Sequence, residues 1–341
     1  MKKTELLWWY LNILTYERYQ AILEVYGSLD EATKHISEEF LRGLGCREET
    51  AREVLMRLDD FDPALEEAKI QEFGVTAFSI EDTRYPRVLK AVADPPVFLS
   101  YRGDLSILDQ PCIGLVGTRE SSHYGRRVVQ DMVPDFVRAG LVTVSGLALG
   151  IDAEVAEETI KADGRTVAVL GHGLGSIYPA SNQKLAAKIV DQGGLLLSEF
   201  PVLQKPEKYT FPARNRIIAG LTLGTVVFEA PEGSGALITA EIALGYGRAV
   251  FAVPGPIYDQ NYAGCHALIA KGAARLITNA ADVLTELGIM APDALAASAY
   301  EPQNPEEERV LGALTSLPQP VDDLVEKSGL APGAIGATLT M

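Results

Sequence analysis

Cysteine is scarce in this chain of 341 residues. Cys46, Cys112 and Cys265 stand far apart with no Cys-x-x-Cys spacing, which excludes a disulfide framework and a cysteine zinc site. A reducing, cytoplasmic setting is therefore expected. Histidine is nearly as rare. His172 and His266 lack metal-ligand spacing, so both are assigned structural roles and no metal is expected. No apolar run reaches the roughly 20 residues a membrane helix needs, so no membrane partner is expected. The opening MKKTELLWWYLNIL is broken by Glu5 and Asn12 and has no small-residue cleavage site after it, so it reads as an amphipathic helix. Cations are outnumbered: 30 Lys and Arg against 46 Asp and Glu leave a net charge of -16. That balance argues against a protein that coats nucleic acid over its whole surface. It permits a local basic groove, because exposed charges are screened beyond about 10 Å. Neither Gly-x-Gly-x-x-Gly nor a P-loop Gly-Lys-Ser/Thr is present, so nicotinamide and ATP readings are weak and no cofactor is expected. No Ser–His–Asp or paired-carboxylate arrangement stands out.

What is present is the composition of a soluble globular protein, 47% hydrophobic and 22% charged, long enough for two or three domains. Residues 1–65 read as a small helical domain, with apolar residues at three-to-four spacing broken by Gly27, Gly43 and Gly45. Its segment FLRGLGCREETAREVL suggests a hairpin of two short helices, of the sterile-alpha-motif or helix-hairpin-helix kind. Such a turn can grip a DNA backbone, but the acidic residues around it favour a packing unit. Residues 66–290 form the second domain; its stretch up to 110, punctuated by Pro86, Pro95 and Pro96, is expected to be irregular. From 112 on, six short β-rich runs alternate with helical patterns: CIGLVG, LVTVS, TVAVLG, LLLS, TVVFEA and AVFAVPG. That alternation predicts an α/β fold with a doubly wound, Rossmann-like parallel sheet, covered on both faces. An Ala/Pro/Glu-rich linker is placed at 291–304, and residues 305–341 read as a partial winged-helix-like segment. Two helices and the start of a third are expected there, which disfavours a duplex-reading regulator.

Open parallel sheets bind ligands at the carboxyl ends of their strands, so the loops there matter most. The first offers Gly117, Thr118, Arg119, Ser121 and Ser122, with an anion site expected at the N-terminus of the helix that follows. Ser145 and Gly146 follow the second strand, and Gly173 and Tyr178 follow the third. After the fourth comes KYTFPARNR, which brings Lys208, Phe211, Arg214, Asn215 and Arg216. Arg214 and Arg216 are also candidates for plain ion pairs with Glu199, Glu229 or Glu241. Aromatics interleaved with cations beside phosphate-binding amides describe a single-strand groove better than a duplex reader, which lays a helix or ribbon along the major groove. A rival reading uses Glu241 of SGALITAE: a carboxylate beside a phosphate cradle can cleave a nucleotide's N-glycosidic bond, so a nucleotide phosphoribohydrolase-like enzyme is the alternative.

The ordered motifs GTRESSHYG, SGLALGID, GLGSIYPASN, SEFP, KYTFPARNRIIAGL, EAPEGSGALITAE and AVPGP resemble the bacterial DNA-processing protein A family (DprA, also called Smf). The resemblance is dense over residues 80–288 and looser in the flanks. It implies an extended Rossmann domain that binds single-stranded DNA without a cofactor, a non-enzymatic recombination mediator in natural transformation, a homodimer, and the recombinase RecA as partner. It implies that Arg119 binds phosphate, that Lys208 and Phe211 clamp DNA, and that Tyr178 and Arg214-Asn215-Arg216 fall at pocket positions. Ser234, Gly235 and Thr239 are assigned to the pocket wall on the same ground. One departure stands in GIDAEVAE, where Ala156 occupies the position of a usual histidine.

Overall fold

The computed structural model describes residues 1–289, 304–314 and 320–339. The chain divides into two compact units, Met1–Ala291 and Pro292–Met341.

The first unit opens with six helices: α1 (Lys3–Leu11), α2 (Tyr16–Tyr26), α3 (Leu29–Thr33), α4 (Glu38–Gly43), α5 (Glu48–Asp59) and α6 (Pro63–Glu72). Their starts follow capping chemistry. Thr15, Ser28, Ser37 and Asp62 each accept a first-turn amide hydrogen bond, and Pro63 takes the first helical position. α6 runs across the boundary expected at 65. Trp8 and Trp9 are buried. Trp8 Nε1 donates to Thr33 Oγ1 at 2.9 Å and Trp9 Nε1 to the Glu199 carbonyl at 3.0 Å, so the helices pack directly onto the sheet.

A nine-stranded sheet follows in the order β1-β2-β6-β5-β4-β3-β7-β8-β9. The six expected strands are β3 (Cys112–Val116), β4 (Val142–Ser145), β5 (Thr166–Val169), β6 (Leu195–Ser198), β7 (Gly224–Val227) and β8 (Ala249–Ala252). All pair in parallel. β9 (Arg275–Leu276) adds a short parallel edge. The stretch expected to be irregular instead supplies β1 (Thr76–Ser79) and β2 (Phe98–Gly103), which extend the sheet antiparallel beside β6. Helix α7 (Arg87–Lys90) lies between them.

Alternate strand residues feed opposite faces. Ile113 and Leu115 of β3 join Val226, Phe228 and Phe251 in one core, while Cys112 and Val116 join Val227 and Ala252 in the other. The first core is closed by α8 (His123–Arg138), α9 (Ile151–Lys161) and α14 (Ala280–Glu286). The second is closed by α10 (Gln183–Asp191), α11 (Thr210–Leu221), α12 (Gly235–Gly245) and α13 (Ala263–Ala270). Burial on both faces explains why the strands are apolar throughout. No helix among the described residues is long and apolar enough to cross a membrane.

In the second unit, helices Pro305–Ala313, Val321–Ser328 and Pro332–Leu339 pack around Val310, Leu324 and Ile335. Of the linker expected at 291–304, all but Asn304 lies outside the described residues.

Candidate nucleic-acid interface

The strand order runs one way from β3 to β6 and the other way from β3 through β7 to β9. The switch therefore falls between β3 and β7, where the loops leaving the two strands part and leave a crevice. A cavity of about 380 Å³ fills that crevice. Thr118 and Arg119 line it from the β3 loop, Ser234 and Thr239 from the β7 loop and α12, and Asp152 and Arg214 from α9 and α11. Gly117 opens the β3 loop, and a Cβ there would stand 2.5 Å from the Ile151 side chain. Gly150 has φ +74°, and a Cβ there would stand 2.4 Å from the Thr118 carbonyl oxygen. Glycine at these positions lets the β3 and β4 loops touch.

Arg214 is buried at the base of the cavity. Its Nη1 donates to the Gly146 carbonyl at 2.8 Å and to the Val169 carbonyl, and its Nε to Asn215 Oδ1 at 3.2 Å. Gly146 is glycine because a Cβ would stand 2.3 Å from that guanidinium. These partners are all neutral, so the hydrogen bonds satisfy the group without cancelling its charge. Asp152, also buried, accepts amide hydrogen bonds from Gly146 at 2.9 Å and Ala148 at 3.4 Å. Burial pushes the Arg214 guanidinium down to about 10, with Asp152 acting the other way. Burial pushes the Asp152 carboxyl up, opposed by Arg214. At neutral pH the arginine keeps its proton, and the base of the cavity holds a cation.

The rim is aromatic and basic. The Arg119 guanidinium carbon lies 5.3 Å from the centre of the Phe211 ring, and the Tyr178 and Phe211 rings are 5.9 Å apart. Arg119 is exposed and Tyr178 is 49% exposed, so both offer faces to solvent. Lys208 is exposed one turn before Phe211 and forms no ion pair among the described residues. Buried His172 shapes the Tyr178 loop: its Nδ1 bonds the Gly173 carbonyl at 2.9 Å and its Nε2 accepts the Tyr178 amide at 3.2 Å. That pair of roles fits the neutral ring, and burial lowers its pKa.

Several sequence expectations are displaced. The N-terminus of α8 is not open to an external anion. Glu229, fully buried, takes that place: Ser122 N donates to its two carboxylate oxygens at 3.1 and 3.0 Å, and Ser122 Oγ donates at 3.1 Å. Ser121 faces its own helix, its carbonyl accepting from Arg126 at 3.1 Å. The helix terminus that does line the cavity is that of α12, through Ser234, Gly235 and Ala236. Asn215 joins it to α11, with Nδ2 donating to the Gly235 carbonyl at 3.2 Å. Arg216 is not a pocket residue: it pairs with Glu199 and donates to the Asp94 carbonyl at 2.9 Å. Ser145 and Gly173 are packing positions. Ser145 is buried against the Asp152 carbonyl at 3.4 Å, and a Cβ on Gly173 would stand 1.9 Å from the Pro201 carbonyl oxygen. Glu241 is exposed and absent from the cavity wall that Thr239 lines; residues two apart on a helix point to opposite sides. Ala156 is buried in the core.

Asp152, Ala148 and Asn261 line the cavity and escaped sequence reading. Asp152 had a legible signal, an acid in the first turn of a helix that follows a glycine turn. Ala148 and Asn261 had none.

Residues 76–288 match the family described as DNA recombination-mediator protein A, and residues 292–341 match the DprA winged helix domain. The chain is 43% identical over 233 residues to the DNA processing protein DprA of Bacillus subtilis, covering 67% of this chain and 78% of that one. It is 39% identical over 290 residues to that of Streptococcus pneumoniae, covering 81% and 99%. The X-ray structure of the pneumococcal protein superposes with a TM-score of 0.71 at 37% identity, over 84% of this chain and 98% of that one. A structure of DNA processing protein A from Helicobacter pylori, described for its single-stranded DNA binding mode, gives a TM-score of 0.56 at 30% identity, over 62% and 95%. The fold, the cavity at the sheet's switch point and these matches agree, and the chain belongs to the DNA recombination-mediator protein A family, the DprA and Smf proteins.

Proposed function

We propose that this protein binds single-stranded DNA without sequence preference and acts, as a cytoplasmic homodimer and without catalysing a reaction, to load RecA onto the bound strand. One observation carries the DNA reading: Arg119 of the β3 loop, Phe211 of the first turn of α11 and Tyr178 of the β5 loop lie against one another beside a cavity with buried Arg214 at its base. Cations hold phosphates whatever the base, and every base has a flat face to stack, so the combination binds strands without reading them. Lys208, exposed three residues before Phe211, adds a cation that forms no ion pair among the described residues. The single-strand binding named for the Helicobacter relative supports the same reading. The RecA and homodimer assignments rest on family membership.

The nucleotide-cleaving alternative loses support from the exposure of Glu241. Asp152, a carboxylate that does line the cavity, is engaged by two amides and faces Arg214, which suits a structural counter-ion better than a free general base. The test is direct. Fluorescence anisotropy should show tight binding of oligo-dT and weaker binding of a duplex of the same length, and incubation with AMP should release no adenine. Base release without oligo-dT binding would reverse the assignment. Loading is tested by whether the protein speeds RecA assembly on strands coated with a single-strand binding protein.

A further inference from the structure

Beside the main cavity lies a notch of about 50 Å³ whose lining includes Phe211, Tyr178, Pro179 and Leu149. It shares Arg119, Ala148 and Arg214 with the larger cavity, so the two are continuous. Leu149 is 47% exposed, an apolar side chain held partly in water in the lining that it shares with two rings. Its position is imposed. Leu147, two residues earlier, has φ +53°, a left-handed conformation that leucine seldom adopts. Buried Asn182 holds that loop: its Nδ2 donates to the Leu147 carbonyl at 3.0 Å and the Ala148 carbonyl at 3.3 Å. Asn182 belongs to the segment that also carries Tyr178 and Pro179, so one amide group fastens the loop bearing Leu149 to the loop bearing Tyr178.

We propose that Leu149 and the Phe211–Tyr178 pair are the two jaws of a slot for an unstacked nucleobase, and that Asn182 is the positioning residue that sets the gap between them. The inference rests on the single-strand reading and deepens it, since it assigns the base contact to a place and adds two residues to the interface. A planar base has two apolar faces. With the rings against one and Leu149 against the other, both leave water, while Arg119 at the mouth meets the neighbouring phosphate.

The experiment compares oligo-dT with an abasic phosphodiester oligomer of equal length, on the full chain. Leu149→Ala, at an exposed site, should fold as wild type and bind oligo-dT about fivefold more weakly, the low end of the stacking range. It should bind the abasic oligomer as wild type does. Asn182→Asp keeps the side chain's size but removes both donated bonds. It should show the same base-dependent loss, and adding Leu149→Ala to it should cost little more. A purely structural role for Asn182 would weaken both oligomers alike. The proposal is overturned if Leu149→Ala binds oligo-dT as wild type does, or loses the two oligomers equally, while Lys208→Ala still weakens binding. A wild-type chain that binds neither oligomer overturns the single-strand reading and this inference with it.

Discussion

Replacing Arg214 by Met tests whether the base of the cavity is held together by charge. Two things are lost with the guanidinium. The carbonyls of Gly146 and Val169 lose their guanidinium donor, at about 1–3 kcal/mol for each buried group left without a partner. Asp152 loses the cation that faces it and remains buried. Asp152 is held by the Gly146 and Ala148 amides and not by a direct ion pair with Arg214, so the loss of the nearby cation adds less than the roughly 3–5 kcal/mol of a broken buried pair. A destabilisation of about 3–5 kcal/mol is therefore expected in urea or guanidinium titration, a large fraction of the stability of an ordinary domain. Asp152→Asn in the Arg214→Met background should restore part of it, because the neutral amide no longer needs a counter-charge, and the double mutant should lose less stability than the two single losses added together, by more than about 1 kcal/mol. Neither variant should recover oligo-dT affinity. If Arg214→Met is as stable as the parent, or if the two substitutions add without coupling, the charge of Arg214 does not hold the base of the cavity together.

Other outcomes follow from the same contacts. Arg216→Met leaves Glu199, whose carboxyl burial pushes up, without its cation; denaturation should show a loss of about 3–5 kcal/mol while oligo-dT affinity of the folded protein stays within twofold, on the order of RT. Glu229→Ala strips the acceptor from the Ser122 amide at the start of α8 and should cost about 1–3 kcal/mol by the same titration, with DNA affinity little changed. His172 is lowered in the folded state by burial. Its contribution is therefore complete above the unfolded value of about 6.5 and is lost as pH falls through the folded one. The melting temperature should drop on acidification below about pH 6.5, and His172→Gln should flatten that part of the profile.

The parallel core was legible because β3 to β8 are continuous apolar runs separated by helix-period segments, a pattern that only a sheet covered on both faces requires. β1 and β2 were not. They lie in a stretch punctuated by prolines, and Thr76–Ser79 is four residues long. What makes that segment a strand is its antiparallel pairing with β2, itself paired to β6 nearly a hundred residues on. The site was legible to the level of loops and not of side chains. Arg214 and Arg216 looked equivalent in KYTFPARNR, yet they are two residues apart on α11 and so leave the helix on opposite sides, one toward the cavity and one toward Glu199. Helical periodicity alone could have separated them. That Glu229 would cap α8 could not be foreseen, since it depends on β7 lying next to β3.

Salt and side-chain removal together separate the phosphate contacts from the base contacts in strand binding. Oligo-dT affinity should be measured across a range of salt concentrations for the parent, Lys208→Ala and Phe211→Ala. Removing the lysine should flatten the logarithmic salt slope by about 0.7, one phosphate contact on a single strand. Removing the ring should weaken binding by about 1–3 kcal/mol and leave the slope as it was. Parallel changes of slope in both variants, or no change of affinity in either, would contradict a strand held by its phosphates on cations and by its bases on rings.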